Sequence, residues 1–331
     1  MNSPGTDRRW RRALVTGGAG FLGSHLCERL LDEGTEVDCA DNLLSGSRSN
    51  VEHLEDRAGF RFIACDLVRA HSVEVLDGRY DLVLHLACPA SPADYLAYPL
   101  ETLDAGSAGT RHALQIAERD GARFLLTSTS EVYGDPLMHP QREDYWGNVN
   151  PVGPRSVYDE SKRFSEALST AFARRLGTNA GIVRLFNTYG PRMRADDGRV
   201  VPTFIRQALN GEPLTVAGDG TQTRSLCYVE DTLDGMLKVA ASRSVRPVNI
   251  GGGDEATVLE IARKVIELTG SQSETRFVER PVDDPERRRP DTTLAHELLG
   301  WQPQVPWLEG LRRTIDYFRD TSPQPVSAPA V

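Results

Sequence analysis

The chain has little of what marks a membrane, extracellular or nucleic-acid-binding protein. No uninterrupted apolar run approaches the roughly 20 residues that a bilayer-spanning helix needs. Met1 to Arg12 is basic and lacks an apolar core, so no secretory signal is expected. The five cysteines (Cys27, Cys39, Cys65, Cys88, Cys227) are an odd number at wide spacing, and none forms a Cys-x-x-Cys pair. That argues against a disulfide framework and a metal site, and for reduced thiols in the cytoplasm. Positive charge is in deficit: 38 Lys and Arg face 47 Asp and Glu, a net charge of −9. An acidic balance argues against nucleic acid as the main partner. It does not exclude a small anion, because a local arginine cluster overrides the global sign.

What is present suits a large globular protein. At 331 residues and 39% hydrophobic content, the chain fits one large α/β unit with a second lobe. Short apolar runs alternate with helical patterns. Strands are expected at Arg12–Thr16, Glu36–Asp41, Phe60–Asp66, Leu82–Ala87, Phe124–Thr129, Ala180–Leu185 and Pro247–Ile250. Alternation of this kind predicts a doubly wound parallel Rossmann sheet with right-handed crossovers. After Asn187 the pattern loosens, with helices expected at Pro202–Leu209, Val229–Ala241, Thr257–Leu268 and Leu308–Arg319. The expected organisation is a nucleotide-binding domain over 1–187, with a returning strand near 247–250, and a smaller interleaved α/β substrate lobe over 188–320. A disordered Pro/Ala/Ser-rich tail is expected over 321–331.

The first strand runs into Gly17-Gly18-Ala19-Gly20-Phe21-Leu22-Gly23. Gly17 and Gly20 allow a tight turn close to a pyrophosphate, and Gly23 allows the next helix to pack on the strand. The helix N-terminus offers free N–H groups to phosphates. Asp41 ends the second strand roughly 20 residues on, where a ribose diol sits. A carboxylate there repels a 2′-phosphate, so NAD is expected rather than NADP; the alternative is an aspartate capping the following turn. Asp66 is a candidate for the adenine amino group, or an ordinary turn residue.

Tyr158 and Lys162 sit at i and i+4 of a predicted helix, on one face. A cation beside a phenol lowers its pKa, and such a tyrosine takes a proton from an alcohol while a nicotinamide takes the hydride. The alternative is a surface lysine beside a half-buried tyrosine. Thr129, Ser130 and Glu131 follow the fifth strand, at the end where ligands bind in doubly wound sheets. Thr129 and Ser130 are placed to hydrogen-bond a substrate hydroxyl, and Glu131 to act as a base or orient a water. Arg192, Arg199 and Arg224 are candidates for phosphates, or for ion pairs on a solvated face.

Several stretches closely resemble the UDP-glucuronate decarboxylases, which are extended short-chain dehydrogenases. They are Gly17 to Leu26, His85 to Pro92, Thr127 to Pro136, Glu143 to Pro151, Arg184 to Met193, Asp197 to Val201, Gln222-Thr223-Arg224 and Asp283 to Asp291. The glycine turn and Tyr-x-x-x-Lys belong to all extended short-chain dehydrogenases, whereas Glu143-Asp144-Tyr145-Trp146-Gly147 and Ser130-Glu131 are more specific. The resemblance implies NAD as cofactor, UDP-glucuronate as substrate, a UDP-pentose product and a homodimer. It implies that Tyr158, Lys162 and Thr129 oxidise C4. Glu131 assists at C5, Arg288 binds the carboxylate or supplies a proton, and return of hydride gives UDP-xylose. It places Phe21, Leu22, Asn42, Ser45, Gly46, Leu67, Leu86, Cys88, Thr127, Thr188 and Arg199 at the cofactor. At the substrate it places Ser130, Asn187, Arg192, Arg224, Tyr228 and Arg288, with Arg224 on the diphosphate. The alternative within the resemblance is a sugar-nucleotide 4-epimerase or 4,6-dehydratase.

The chain departs from that pattern at Asp104-Ala105-Gly106, where the family carries Lys-Thr-Asn, and at Cys88, where it carries Ser. An aspartate near a substrate carboxylate repels it. Partial early release of a UDP-4-keto-pentose is therefore expected.

Overall fold

In the computed structural model, which describes residues 9–321, the sequence's apolar runs become one seven-stranded sheet. The strands are β1 (Arg12–Thr16), β2 (Glu36–Asp41), β3 (Phe60–Ala64), β4 (Leu82–His85), β5 (Arg123–Thr129), β6 (Ala180–Leu185) and β7 (Pro247–Ile250). Their order is β7-β6-β5-β4-β1-β2-β3, and every neighbouring pair is parallel. Helices cover both faces, which is why all four residues of β4 are buried. The chain lays β2 and β3 on one side of β1, then returns to start β4 on the other. That reversal opens a crevice beyond the carboxyl ends of β1 and β4.

Strands β3 and β4 stop two residues short of the bounds read from the sequence. Their ladders end at Asp41 opposite Ala64 and Thr16 opposite His85. The apolar residues that follow, Leu67 and Leu86, line the crevice instead of extending the sheet. The tail expected over 321–331 lies outside the described residues, except Thr321, which ends the helix Trp307–Thr321.

Five helices set up the site: α1 (Phe21–Asp32), α2 (Pro92–Ala97), α3 (Pro99–Asp104), α4 (Thr110–Asp120) and α5 (Ser156–Leu176). A π-helical turn, Ala105–Gly109, joins α3 to α4 without a loop. There Gly106 lies against α5: a Cβ on it would stand 2.6 Å from the Ser161 Cβ, and the Ser165 Oγ donates to the Gly106 carbonyl at 2.8 Å.

The expected later helices form within two residues of their anticipated bounds, as Val200–Leu209, Val229–Ala241, Val258–Thr269 and Trp307–Thr321. A capping box between Thr257 and Glu260 starts the third of these. Small ladders lie between them. One pairs Leu214–Ala217 with Thr275–Val278, and another sets Thr223–Ser225 between Glu255–Thr257 and Arg287–Arg288. A continuous apolar cluster links Leu26 and Leu30 of α1 to Met236, Trp301 and Phe318. The C-terminal segment is thereby packed onto the nucleotide-binding sheet.

Candidate active site

A cleft of about 1220 Å³ opens beyond β1, β4 and β5. Single small-molecule pockets run to roughly 1,000 Å³, so this cleft has room for two ligands side by side. One end is built by the glycine turn. Gly17 has φ +69°, and a Cβ on Gly23 would stand 2.2 Å from the Gly17 carbonyl oxygen. The turn therefore closes only with glycine at both positions, leaving the start of α1 open for phosphate. Gly23→Ala is expected to strain the turn by about 1–3 kcal/mol and to weaken NADH binding, read by fluorescence titration, by roughly tenfold or more.

Asp41 ends β2 at the cleft wall. One carboxylate oxygen accepts from the Ala19 N–H at 2.9 Å, the other from the Leu43 N–H at 2.8 Å. Burial pushes the carboxyl up, and these two bonds oppose it. The carboxylate thus caps the following turn, and each oxygen keeps a second lone pair. Asp66 behaves as a turn residue, its Oδ1 accepting from the Val68 N–H at 3.1 Å, though it too lines the cleft. All the expected cofactor residues line this cleft: Phe21, Leu22, Asn42, Ser45, Gly46, Leu67, Leu86, Cys88, Thr127, Thr188 and Arg199 join Gly17, Gly20, Asp41, Asp66, Tyr158 and Lys162.

Tyr158 and Lys162 share one face of α5, as their spacing predicts, and both are buried. The Lys162 ammonium lies 5.9 Å from the Tyr158 ring centre and donates to the Thr127 carbonyl at 3.0 Å. The expected depression of the phenol by Lys162 is not found. Burial pushes Tyr158 up, the charges of Cys88 and Glu131 add to that, and a hydrogen bond with Thr129 opposes it. In the protein alone the phenol is neutral. Tyr95 of α2 stacks on it with ring centres 5.2 Å apart and planes at 7°, fixing its orientation.

Glu131 differs most from the expectation of a base. It follows Thr129 in a 3₁₀ turn (Ser130–Tyr133) whose N-cap is the Thr129 hydroxyl, which accepts from the Glu131 N–H at 3.2 Å. Two arginines hold its carboxylate. Arg288 makes a fork, with one Nη bonded to Oε1 and the other at 3.0 Å from Oε2, and Arg155 reaches Oε2 at 2.9 Å. Burial alone would raise this carboxyl, but Arg288 and Arg155 hold it at about 2. Such a carboxylate is a poor base; it fixes two guanidinium groups. Both arginines keep a buried Nε without a partner.

Arg192, Arg199 and Arg224 also line the cleft, each with a partner within the protein. Arg224, expected on a diphosphate, is buried and bonds Asp284 at 2.8 Å and the Thr223 and Pro285 carbonyls. It pins the segment that carries Arg288. Arg192 adopts φ +68°, which throws its side chain onto Glu28 of α1 at 2.5 Å, the cofactor side of the cleft. Arg199 pairs with Asp197 at 2.8 Å. Ser130 and Asn187 line the cleft as expected. Tyr228 does not: its ring packs edge-on against Tyr189 and under Arg313, because its two-residue strand turns that side chain toward the helix Trp307–Thr321.

Three residues escaped the sequence reading. Arg155 stands at i, i+3 and i+7 with Tyr158 and Lys162, and that spacing was a usable signal. Tyr95, on another helix, left none. Asp159, beside Tyr158, belongs to no motif and left none either. Of the departures, Asp104 and Ala105 line the cleft while Gly106 packs on Ser161.

Comparison with known proteins agrees with this geometry. The NAD dependent epimerase/dehydratase family matches residues 13–251. UDP-glucuronic acid decarboxylase 1 of Danio rerio is 49% identical over 95% of this chain and 74% of its own. UDP-glucuronic acid decarboxylase 5 of Arabidopsis thaliana is 50% identical over 93% of this chain and 89% of its own. Among solved structures, UDP-glucose 4-epimerase of Thermotoga maritima, with UDP-glucose, superposes with TM-score 0.87 at 31% identity, covering 94% of this chain and 99% of that one. UDP-glucuronic acid 4-epimerase of Bacillus cereus, solved with NAD and a fluorinated UDP-glucuronic acid, gives 0.84 at 28% identity, covering 94% and 100%. The fold alone does not separate epimerase from decarboxylase, but the relatives near half identity along nearly the whole chain do. The chain belongs to the NAD dependent epimerase/dehydratase family and, within it, to the UDP-glucuronic acid decarboxylases.

Proposed function

We propose that this protein converts UDP-glucuronate to UDP-xylose and CO₂. The observation that carries the reading is the pair of guanidinium groups, Arg155 and Arg288, converging on the single carboxylate of Glu131 beside Tyr158. With Arg224 and Asp284, which adjoin the same cluster, three cations face two carboxylates and leave a local excess of positive charge at the cleft wall, and a substrate carboxylate matches it. A 4-epimerase of neutral sugars has no use for that excess.

The glycine turn, Asp41 and Lys162 would hold NAD, which when bound would supply a hydride acceptor for C4 and a cationic ring that favours the phenolate. Tyr158 takes the C4 hydroxyl proton, with Thr129 sharing the hydrogen bond. Lys162 is anchored on the Thr127 carbonyl and holds the adjacent ribose and phenol in register. The C4 ketone makes the substrate a β-keto acid. Its C5–carboxyl bond breaks, CO₂ leaves, and the electron pair moves into the carbonyl. C5 then takes a proton, and the C4 hydroxyl is restored by return of the hydride to C4 and of the proton Tyr158 had held to its oxygen. Arg155 and Arg288 orient the carboxylate before cleavage, and Glu131 keeps them from collapsing onto other acids.

The test is direct. CO₂ release is measured with UDP-glucuronate and with UDP-glucose in the presence of NAD⁺. CO₂ and UDP-xylose from the first and no turnover of the second support the reading; conversion of UDP-glucose without CO₂ favours the epimerase or dehydratase alternative.

Asp104 at the cleft wall supports partial release of a UDP-4-keto-pentose. NMR that shows UDP-xylose alone, with no NADH build-up, excludes it. Exposed Leu100 and Leu103 on α3 and Phe164 on α5 support a homodimer through these helices, which sedimentation tests. The five free cysteines support a reducing compartment such as the cytoplasm.

A further inference from the structure

The two arginines on Glu131 differ in what they have left to offer a ligand. Arg288 gives both Nη groups to the Glu131 carboxylate and is 5% exposed. Its fork is committed within the protein. Arg155 gives Glu131 only one Nη, at 2.9 Å. Its other Nη stands 3.9 Å from Asp284, too far for a hydrogen bond, and Asp284 is already held by Arg224 at 2.8 Å. The Arg155 Nε is buried without a partner. A guanidinium carries five N–H donors, so most of those on Arg155 are unused, and Arg155 lines the cleft.

Its place on the catalytic helix matters as much. Arg155 caps the N-terminus of α5 with helical dihedrals (φ −87°, ψ −12°), and its carbonyl accepts from the Tyr158 N–H at 3.1 Å. Residues three apart on a helix are neighbours, with Cβ atoms about 5–6 Å apart. One rigid element therefore presents the phenol that takes the C4 proton and, a turn before it, a guanidinium with donors free. In a hexuronate the C4 hydroxyl and the carboxylate sit on adjacent ring carbons, C4 and C5. A neutral hexose carries a hydroxymethyl group in place of the carboxylate, and a pentose carries hydrogen.

We propose that Arg155 determines specificity: it selects UDP-hexuronates over neutral nucleotide sugars by binding the C5 carboxylate while Tyr158 meets the C4 hydroxyl. Arg288 adds charge, but its fork holds Glu131, so the preference rests on Arg155. A ligand without the acid leaves the Arg155 donors unpaired, and a site that loses a hydrogen-bond partner discriminates strongly. The contact exists with substrate and not with product, because CO₂ carries the carboxylate away. Arg155 thereby favours the next acid over the pentose just made. The assignment rests on the decarboxylase reading given above.

The experiment is calorimetric binding of UDP-glucuronate, UDP-glucose and UDP-xylose to the protein loaded with NADH. With no hydride acceptor present, turnover does not begin. Wild type is expected to bind the acid roughly tenfold or more tightly than either neutral ligand. Arg155→Gln is expected to lose roughly 10–100-fold for UDP-glucuronate and to stay within about twofold of wild type for the other two. Arg155→Lys keeps the charge without the planar fork and should recover part of the loss. An arginine that serves only the fold would weaken all three ligands alike, and that result overturns the assignment. Equal binding of the three by wild type overturns it without any variant. An acid preference kept in Arg155→Gln and lost in Arg288→Lys overturns it as well. Failure of wild type to release CO₂ with NAD⁺ would instead remove the decarboxylase reading, while the binding preference is still read without turnover.

Discussion

Tyr158→Phe should reduce CO₂ release from UDP-glucuronate by roughly 10²–10⁴-fold while NAD affinity stays within about twofold of wild type. The phenol oxygen is the acceptor for the C4 proton, and the C4 ketone must form before the carboxyl bond can break. Loss of one oxygen therefore stops every later step. The ring itself remains stacked on Tyr95, and Lys162 remains anchored on Thr127, so the cofactor end of the cleft is untouched. Rapid-quench CO₂ measurement and NADH fluorescence titration check the two halves separately. A variant that releases CO₂ at the wild-type rate would remove Tyr158 from the chemistry.

Arg288→Ala should have the largest combined effect. Arg288 is 5% exposed and forms the fork on Glu131. Removing Arg288 leaves the buried Glu131 carboxylate with Arg155 as its remaining charged partner, which costs about 1–3 kcal/mol. The variant should also lose roughly 10²–10³-fold in CO₂ release, as when a preorganised donor is removed from the site of developing charge. Stability and activity can be pulled apart with the double variant Arg288→Ala/Glu131→Gln. The glutamine carries no charge and Arg155 keeps Asp284 at 3.9 Å, so stability should recover in part while CO₂ release stays low. Recovery of both, read by urea unfolding and CO₂ assay, would show that Arg288 serves the fold alone.

Much of this was legible in the chain because it is local. A parallel sheet writes itself as apolar runs, so β1, β2, β6 and β7 end where the sequence placed them. The glycine turn needs small residues at fixed steps, and Tyr158 and Lys162 need only one helix turn between them. What was hidden depends on partners distant in sequence. Arg288 sits in a run of three arginines that reads as a solvated face, yet Arg287 is exposed and Arg288 is buried. The strand's alternation turns one guanidinium inward to Glu131, 157 residues away in sequence. Arg224 lines the cleft as well, but nothing near it in sequence revealed Asp284 as its partner, 60 residues on. Tyr228 was misplaced for the same reason: which way a two-residue strand faces is set by the helix it meets. The pKa expectation for Tyr158 failed because sequence spacing reports a neighbouring cation but not the burial that outweighs it.

The central claim is that C4 is oxidised and then reduced again at the same carbon. Substrate carrying deuterium at C4 tests it most directly. With UDP-[4-²H]glucuronate and unlabelled NAD⁺, the account predicts UDP-xylose that keeps its deuterium at C4, together with one CO₂ per product. Product with hydrogen exchanged from solvent at C4, or deuterium retained in an unreacted acid without CO₂ release, would contradict it.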